Sequence, residues 1–127
     1  MLKVVVTGGA GFIGSALIRY IMLSTDWSVV NIDKLTYAGN LDSLSGYNGN
    51  GRYSFYELDI CDVKAMDSMF REHQPDIVMH LAAESHVDRS IDGPEEFIKT
   101  NVNGTFNLLE AARKYFVDLN DNKRRSF

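Results

Sequence analysis

Residues 2–15 read LKVVVTGGAGFIGS, and this stretch decides how the chain begins to fold. The β-branched run that ends at Thr7 predicts a buried strand. From Gly11 to Leu23 the apolar residues recur at helical spacing, which predicts a helix whose inward side chains are Ile13, Leu17, Ile18 and Ile21. Between strand and helix lies a G-x-x-G-x-x-G pattern formed by Gly8, Gly11 and Gly14.

Each glycine of this pattern has a physical role at a phosphate-binding turn. Gly8 permits the tight turn out of the strand, Gly11 lets a pyrophosphate approach the backbone, and Gly14 lets the helix pack closely. The anion would then lie on the free N–H groups and positive end of the helix. A glycine-rich turn without a ligand is the alternative, since a glycine triplet alone is weak evidence. A P-loop is excluded because Ser15 stands where its lysine must be.

An acidic residue at the end of the next strand favours a dinucleotide. The second predicted strand, Ser28 to Asp33, ends in Asp33. Asp33 lies about 20 residues after Gly14, the usual distance of the acid that binds the adenosine ribose hydroxyls. A solvated turn residue is the simpler interpretation of Asp33, but the combined strand, glycine turn, helix, strand and acid predicts a dinucleotide. The carboxylate repels a 2′-phosphate, so NAD is favoured over NADP, although the neighbouring Lys34 weakens that preference.

The remaining pattern predicts an α/β fold. We predict strands at Tyr53–Leu58 and Asp76–Leu81, with a helix capped by Asp62 between them. Pro94 in a first turn predicts a long final helix over 93–117, and the polar residues of 34–52 and 118–125 predict a loop and a solvated tail. This order predicts a Rossmann-like, doubly wound parallel sheet.

The sheet is expected to be incomplete. In the usual strand order, the strand at 76–81 would lie at an open edge. An uncharged apolar edge strand promotes aggregation unless something covers it. We therefore interpret residues 1–127 as part of a longer nucleotide-binding domain, either a fragment or a truncated product.

Composition excludes several functional classes. Among 127 residues, 45% are hydrophobic and 24% are charged, which is typical of a globular domain. The net charge of −4 argues against a broad nucleic-acid-binding surface. Cys61 is a single cysteine, so no internal disulfide forms, and no Cys/His spacing predicts a metal site. No apolar run is long enough to span a bilayer, so we expect no membrane partner and a cytoplasmic location.

Longer motifs resemble a known family. The glycine turn, Asp59-Ile60, Leu81–Ser85 and Asn101 are similar to the extended short-chain dehydrogenase/reductase superfamily. Three stretches resemble, more narrowly, the dTDP-glucose 4,6-dehydratases, which are NAD-dependent lyases of deoxysugar synthesis: DKLTYAGN at 33–40, AAESHVDRSIDGP at 82–94 and NVNGTFNLLEAAR at 101–113. The resemblance covers nearly the whole chain.

The resemblance implies a role for each matching position. It assigns cofactor binding to Gly8, Gly11, Phe12, Ile13, Gly14, Asp33, Lys34, Leu35, Thr36, Asp59, Ile60, Leu81, Ala82, Ala83, Glu84, Ser85 and Thr100. Phe12 and Ile13 would cover the pyrophosphate. Residues 33–36 would bind the adenosine ribose, 59–60 the adenine, and 81–85 with Thr100 the nicotinamide-side ribose. Ser85 and Asp88 would reach the nucleotide-sugar substrate, dTDP-glucose.

The resemblance also implies what the chain lacks. It makes residues 1–127 the N-terminal part of the NAD-binding domain, with the family's substrate domain absent from the chain. The family's Tyr-x-x-x-Lys pair and its Asp-Glu pair, which transfer protons, do not occur here, so we assign no catalytic residue to this chain. Two alternatives stay open: an NAD-binding fragment that is inactive by itself, and a related UDP-sugar epimerase or dehydratase. The 93–117 helix has apolar residues on more than one face, which predicts burial on two sides. In the family this helix packs in a homodimer; packing against a missing part of the same chain is the other interpretation.

Overall fold

A computed structural model describes residues 1–36 and 39–127. Its sheet contains four parallel strands: β1 (Lys3–Thr7), β2 (Ser28–Asp33), β3 (Tyr53–Glu57) and β4 (Ile77–His80). Their spatial order is β3-β2-β1-β4, so the predicted α/β class and strand order are confirmed. Within the described residues, β4 forms one edge of the sheet.

Helices follow the strands on both faces of the sheet. The first is α1 (Phe12–Ser24), and a short 3₁₀ helix (Asp42–Tyr47) lies in the loop after β2. α2 (Val63–His73) begins at Asp62, whose side chain accepts a hydrogen bond from the Ala65 amide, as predicted. The remaining helical segments are α3 (Val87–Asp92), α4 (Pro94–Phe97), a π-helical segment (Ile98–Gly104), α5 (Thr105–Asp118) and α6 (Asp121–Arg124).

The two faces of the sheet bury alternate residues of each strand. Val4 and Val6 of β1 face α1, and they pack with Ile18, Ile21, Met22, Val29 and Leu44. Val5 faces the opposite side, where α2 and α5 supply Met66, Met69, Phe70, Leu108, Ala111 and Tyr115. This alternation follows from the pleat of the strand, which turns successive side chains to opposite faces.

The glycine turn brings α1 against the end of β1. Gly8 has a positive φ of 71°, which a residue with a side chain rarely adopts. A Cβ on Gly8 would lie 2.6 Å from the Ala82 nitrogen, so its backbone packs directly on the loop after β4. A Cβ on Gly14 would strike the Gly8 carbonyl oxygen and lie 2.8 Å from the Gly9 Cα. Gly14 therefore permits close packing of the helix on the turn itself.

One sequence prediction about the helices is wrong, and one short helix is missed. Ile13, expected to face inward, is 70% exposed, because the first turn of α1 extends past the sheet. Residues 87–92 form α3, a short helix that the sequence pattern did not predict and that buries none of its residues. The long helix predicted at 93–117 is confirmed: it runs from Pro94 to Asp118 and contains a π-helical segment.

Within the described chain the long helix buries one of its apolar faces, and burial of its second face stays a prediction. Leu108 and Tyr115, which lie off its main apolar stripe, are buried against α2. The main stripe itself is exposed, so the helix is buried on one side rather than two in the described chain. Its exposed members are Ile98, Val102, Phe106, Leu109, Phe116 and Val117.

The C-terminal tail, predicted to be solvated, instead contacts the start of β4 and the core between α2 and α5. The Lys123 ammonium forms an ion pair with Asp76, whose side chain is 14% exposed. Asp76 also accepts a 2.8 Å hydrogen bond from the Lys3 amide at the start of β1. Phe127 contacts Phe70 and Tyr115 edge-to-face. Lys123 and Phe127 thus join the tail to the sheet and core through contacts with residues distant in the sequence.

We expect Gly14→Ala to prevent normal folding, because the new methyl group meets backbone atoms that no side-chain rotation can move. Its cost should exceed the ~1–3 kcal/mol of ordinary overpacking. Gly46→Ala is the matched control, since a Cβ there meets nothing within 4 Å. Urea unfolding followed by circular dichroism checks both variants. A Gly14→Ala chain as stable as Gly46→Ala would contradict the packing role of Gly14.

The ion pair of Asp76 should make stability depend on pH in the acid range. Burial raises the pKa of Asp76, but hydrogen bonds from Lys123 and from the Lys3 amide outweigh it and hold the pKa below 3.8. A lowered carboxyl pKa stabilises the fold above the unfolded-state pKa, and this stabilisation is lost as the pH falls through the folded-state pKa. Asp76→Asn should therefore unfold more easily than wild type at pH 6, and the difference should shrink at pH 3.

Urea titrations at both pH values measure this difference. Asp67→Asn is the control, because Asp67 pairs with Lys114 at 3.3 Å on the exposed surface. Surface ion pairs contribute little to stability, so this variant should unfold at nearly the same urea concentration as wild type at both pH values. Equal destabilisation by Asp76→Asn at both pH values would show that the ionised pair is not the cause.

Candidate functional site

A cavity of about 680 Å³ opens at the carboxyl ends of the strands. Parallel α/β sheets bind ligands at this edge, and the volume is within the range of small-molecule sites. All but one of the residues to which the sequence assigns cofactor binding line it. The wall is completed by four residues that sequence reasoning missed: Ile32, Gly39, Leu58 and His86.

Two residues of the sequence-based assignment lie off the cavity wall. Leu35 does not line it; its amide donates a 2.8 Å hydrogen bond to Asp33, and its φ of 54° bends the chain after β2. Asp88 is on exposed α3 and lines neither this cavity nor a smaller one of about 420 Å³ beside it. Tyr37 and Ala38 of the 33–40 stretch lie outside the described residues.

The start of α1 supplies the positive side of the cavity. Gly11 is the N-cap and has no side chain to accept a hydrogen bond from the first turn, and no acidic residue occupies that turn. The first helical hydrogen bond runs from the Ser15 amide to the Gly11 carbonyl oxygen. The amides of Phe12, Ile13 and Gly14 therefore have no carbonyl partner within the helix, at the positive end of its dipole. Such an end binds anions.

Asp33 faces the glycine turn from the end of β2. Its Oδ2 accepts a 3.0 Å hydrogen bond from the Ala10 amide, and its Oδ1 accepts one from the Leu35 amide. Each carboxylate oxygen has a second acceptor site, so both can still bind hydroxyl donors. The two backbone bonds hold the carboxylate between the turn and the following loop.

A second charged pair lies where β2 and β3 end. Lys34 Nζ is 3.8 Å from Asp59 Oδ2, and both side chains are partly exposed. Asp59 Oδ1 also accepts a 2.9 Å hydrogen bond from the Cys61 amide. Burial and the adjacent Asp59 raise the pKa of the Cys61 thiol, so the thiol is protonated at neutral pH and is not an activated nucleophile.

The π-helical segment holds the loop after β4. The Asn101 side chain donates to the Glu84 carbonyl oxygen at 2.9 Å and accepts from the Glu84 amide at 2.8 Å. One residue earlier, Thr100 lines the cavity and is 6% exposed, and its hydroxyl oxygen has no hydrogen-bond partner among the described residues. A buried hydroxyl without a partner is costly, which fits a ligand that would satisfy it.

The walls therefore match the parts of a dinucleotide. The helix end suits a pyrophosphate, the Asp33 carboxylate suits ribose hydroxyls, and the apolar side chains at the ends of β2 and β3 suit a base. A Cβ on Gly11 would meet only the Gly8 carbonyl oxygen, at 3.3 Å, so this position keeps the turn open toward the cavity. Within the described residues, no cluster of potential metal ligands occurs, and no helix has both the length and the apolar character to cross a bilayer.

Comparisons with known proteins agree with this geometry. A dTDP-glucose 4,6-dehydratase from Shigella flexneri is 63% identical over 126 residues, which is 99% of this chain and 35% of that protein. The crystal structure of DesIV, a dTDP-glucose 4,6-dehydratase from Streptomyces venezuelae with NAD bound, covers 90% of this chain at 40% identity and a TM-score of 0.84, over 36% of its own length.

Related epimerases share the same architecture. UDP-glucose 4-epimerase from Thermotoga maritima, crystallised with UDP-glucose, covers 90% of this chain at 37% identity and a TM-score of 0.79, over 35% of its own length. This chain thus spans about a third of the length of the relatives that it matches. The sequence model of the GDP-mannose 4,6 dehydratase family matches residues 5–126. The chain belongs to the GDP-mannose 4,6 dehydratase family.

Proposed function

We propose that the cavity binds NAD. The observation that carries this proposal is the uncapped start of α1 facing Asp33 across one cavity at the carboxyl ends of the strands. The helix end at this place suits the negatively charged pyrophosphate of a dinucleotide, and the carboxylate suits its uncharged ribose hydroxyls. The NAD in the DesIV structure, the fold of which matches this chain, supports the same ligand.

Each side of the cavity receives a part of the cofactor in this proposal. Phe12 and Ile13, 93% and 70% exposed, would cover the pyrophosphate. Asp33 and its neighbours Lys34 and Thr36 would bind the adenosine ribose, and Asp59 with Ile60 the adenine. The loop 81–85 and the unpartnered hydroxyl of Thr100 would bind the nicotinamide half. The Asp33 carboxylate would repel the 2′-phosphate of NADP, so NAD is preferred.

We propose further that the chain is the NAD-binding N-terminal part of a dTDP-glucose 4,6-dehydratase. The support is the 63% identity to the enzyme of Shigella flexneri and the 40% identity to DesIV. NAD supplies a hydride acceptor that can return the hydride later in the same reaction. This chain's residues hold the cofactor and, at Ser85 on the cavity wall, border the place for the nucleotide-sugar. Asp88 would reach that sugar from α3, outside the cavity.

A UDP-sugar 4-epimerase is the second candidate, since the Thermotoga maritima enzyme has 37% identity and the same fold. The higher identity to the dehydratases favours the first candidate. Proton transfer to the sugar is not assigned to any residue of this chain, so an NAD-binding unit without activity of its own is consistent with the same site. We also propose a cytoplasmic location, as expected for an enzyme that uses NAD and a nucleotide-sugar.

We propose that the exposed stripe of the 94–118 helix pairs with a second copy of the chain. Val102, Phe106 and Leu109 are each more than half exposed and lie on one side of the helix, away from α2. Apolar side chains exposed together in this way are typical of an interface. A two-fold arrangement would bury the same stripe of both copies.

Calorimetric titration with NAD tests the cofactor proposal. Asp33→Ala should weaken NAD binding at least tenfold, because a carboxylate that accepts hydroxyl hydrogen bonds contributes about 1.5–3 kcal/mol for each bond. The preference for NAD over NADP should shrink as well, since the repelling charge is gone. Asp26→Ala is the control, because Asp26 is exposed and precedes β2, at the opposite end of the strands. Undiminished NAD affinity in Asp33→Ala would remove Asp33 from the site.

Sedimentation measures the proposed pairing. Wild type should show a concentration-dependent dimer, and Phe106→Glu should be monomeric because the new charge would be buried at the centre of the stripe. NAD binding should be unchanged, since Phe106 does not line the cavity. Leu23→Glu on α1 is the matched control, because Leu23 is 79% exposed and distant in the fold from the stripe. A wild-type chain that is monomeric at every concentration would contradict the pairing.

A further inference from the structure

His80, the last residue of β4, connects the sheet to α5 through both ring nitrogens. Its Nδ1 is 2.6 Å from the Thr7 hydroxyl at the end of β1, and its Nε2 is 2.9 Å from the Thr105 hydroxyl. Thr7 is fully buried, and His80 is half-buried. No role in cofactor binding follows from the position of His80 itself, because it does not line the cavity.

The direction of each hydrogen bond follows from counting donors. The Thr7 Oγ1 accepts the Ala82 amide at 3.2 Å, and it shares the Leu81 amide, at 3.1 Å, with the Thr7 carbonyl oxygen at 3.0 Å. A hydroxyl has two acceptor sites and one proton, so Thr7 must donate that proton to His80 Nδ1. The imidazole is then neutral with its proton on Nε2, which donates to Thr105.

Leu81 and Ala82 are the residues on which the glycine turn packs. The position that a Gly8 Cβ would take lies 2.6 Å from both the Ala82 nitrogen and the Leu81 carbonyl carbon. Both residues also line the cavity, at the start of the 81–86 loop. A shift of these two amides would therefore move one wall of the cavity and the turn against it.

We propose that neutral His80 is a positioning residue for the cavity: it orients the Thr7 hydroxyl so that both Thr7 lone pairs hold the Leu81 and Ala82 amides against Gly8. This inference rests on the proposed function, since the cavity is taken as the NAD site. His80 touches neither cofactor nor substrate. His80 acts through Thr7. A residue that replaces His80 would orient the Thr7 hydroxyl only if it placed a hydrogen-bond acceptor at the position of Nδ1.

Protonation of His80 should release this arrangement. A proton on Nδ1 removes the acceptor for the Thr7 hydroxyl and adds a donor that competes with the two amides. Burial lowers the pKa of His80, so the ring is neutral at pH 7. The hydrogen-bond partners of the ring are the hydroxyls of Thr7 on β1 and Thr105 on α5, and burial is the cause of the lowered pKa. The loop should therefore loosen as the pH falls below the pKa of His80.

The test compares His80→Gln with His80→Leu in the full 127-residue chain. Glutamine offers an amide oxygen and an N–H group in place of the ring nitrogens, whereas leucine offers neither. His73→Leu is the matched control, because His73 is a partly buried histidine that does not line the cavity; its ring contacts Tyr56 in a tilted arrangement, with 4.8 Å between ring centroids. NMR measures amide exchange at Leu81 and Ala82 in the ligand-free chain, and calorimetry measures NAD affinity from pH 5 to pH 8.

We expect two effects of His80→Leu at pH 7, each of about five- to tenfold: faster exchange of the Ala82 amide and weaker binding of NAD. This is the size that the loss of one net hydrogen bond implies. His80→Gln should retain most of the affinity. In wild type the Leu81 and Ala82 resonances should titrate together with the His80 ring, and in His80→Gln they should not. A role in packing alone would not produce this shared titration.

Two results would overturn the inference. One is a wild-type titration of the His80 ring that leaves the Leu81 and Ala82 amides unmoved. The other is a folded His80→Leu chain whose amide exchange at these residues equals that of His73→Leu. Both results are measured by NMR without a ligand. Failure of wild type to bind NAD would therefore count against the proposed function, whereas the amide measurements alone would decide the role of His80.

Discussion

At the carboxyl end of β1 the chain backbone passes within contact distance of two other backbone segments. Gly8 packs on Leu81 and Ala82, and Gly14 of α1 packs on Gly8. Side chains at these positions would separate β1, α1 and the loop after β4. The cavity exists because the three segments meet without a Cβ between them, and its opposite wall follows from the parallel pairing of β1 with β2.

This close approach of the backbone segments also determines where charge lies around the cavity. Because α1 begins directly at the turn, its free amides point into the space where the strands end. Asp33 is brought to the same space by β2, and its hydrogen bond to the Ala10 amide joins the acid to the turn. A positive helix end and a carboxylate are thereby held a short distance apart by backbone contacts, so both are preorganised before any ligand binds.

The π-helical segment couples the helical layer to the site. Asn101 bonds to both backbone groups of Glu84 in the loop after β4, and Thr105 accepts from His80 at the end of β4, so one continuous helix holds both the strand end and the loop. The same helix buries Leu108 and Tyr115 against α2 and leaves its broader apolar stripe exposed. One element thus contributes to the core, to the cavity wall and to an outer apolar surface.

The sequence by itself determined the strands, turns and helix starts that depend on neighbouring residues. The valine run and the glycine spacing predicted β1, the turn and α1, and Asp62 and Pro94 predicted where two helices begin, because caps and first turns are set by nearest neighbours. The alternation of strands and helices predicted a parallel sheet, and the strand order followed from the usual order of a doubly wound sheet. The residues expected at the site came mostly from resemblance, and nearly all of them meet at one cavity.

The tertiary structure alone decided which faces are buried and which distant groups meet. Ile13 follows the helical period but extends past the sheet, and the wider apolar stripe of the long helix is exposed because α2 packs on the other side. The polar tail is held by Asp76 and Phe70, residues about 50 positions away. His80 is an ordinary strand residue in the sequence. Its link between Thr7 and Thr105 exists only after folding, since hydrogen-bond partners that are distant in the chain leave no local pattern.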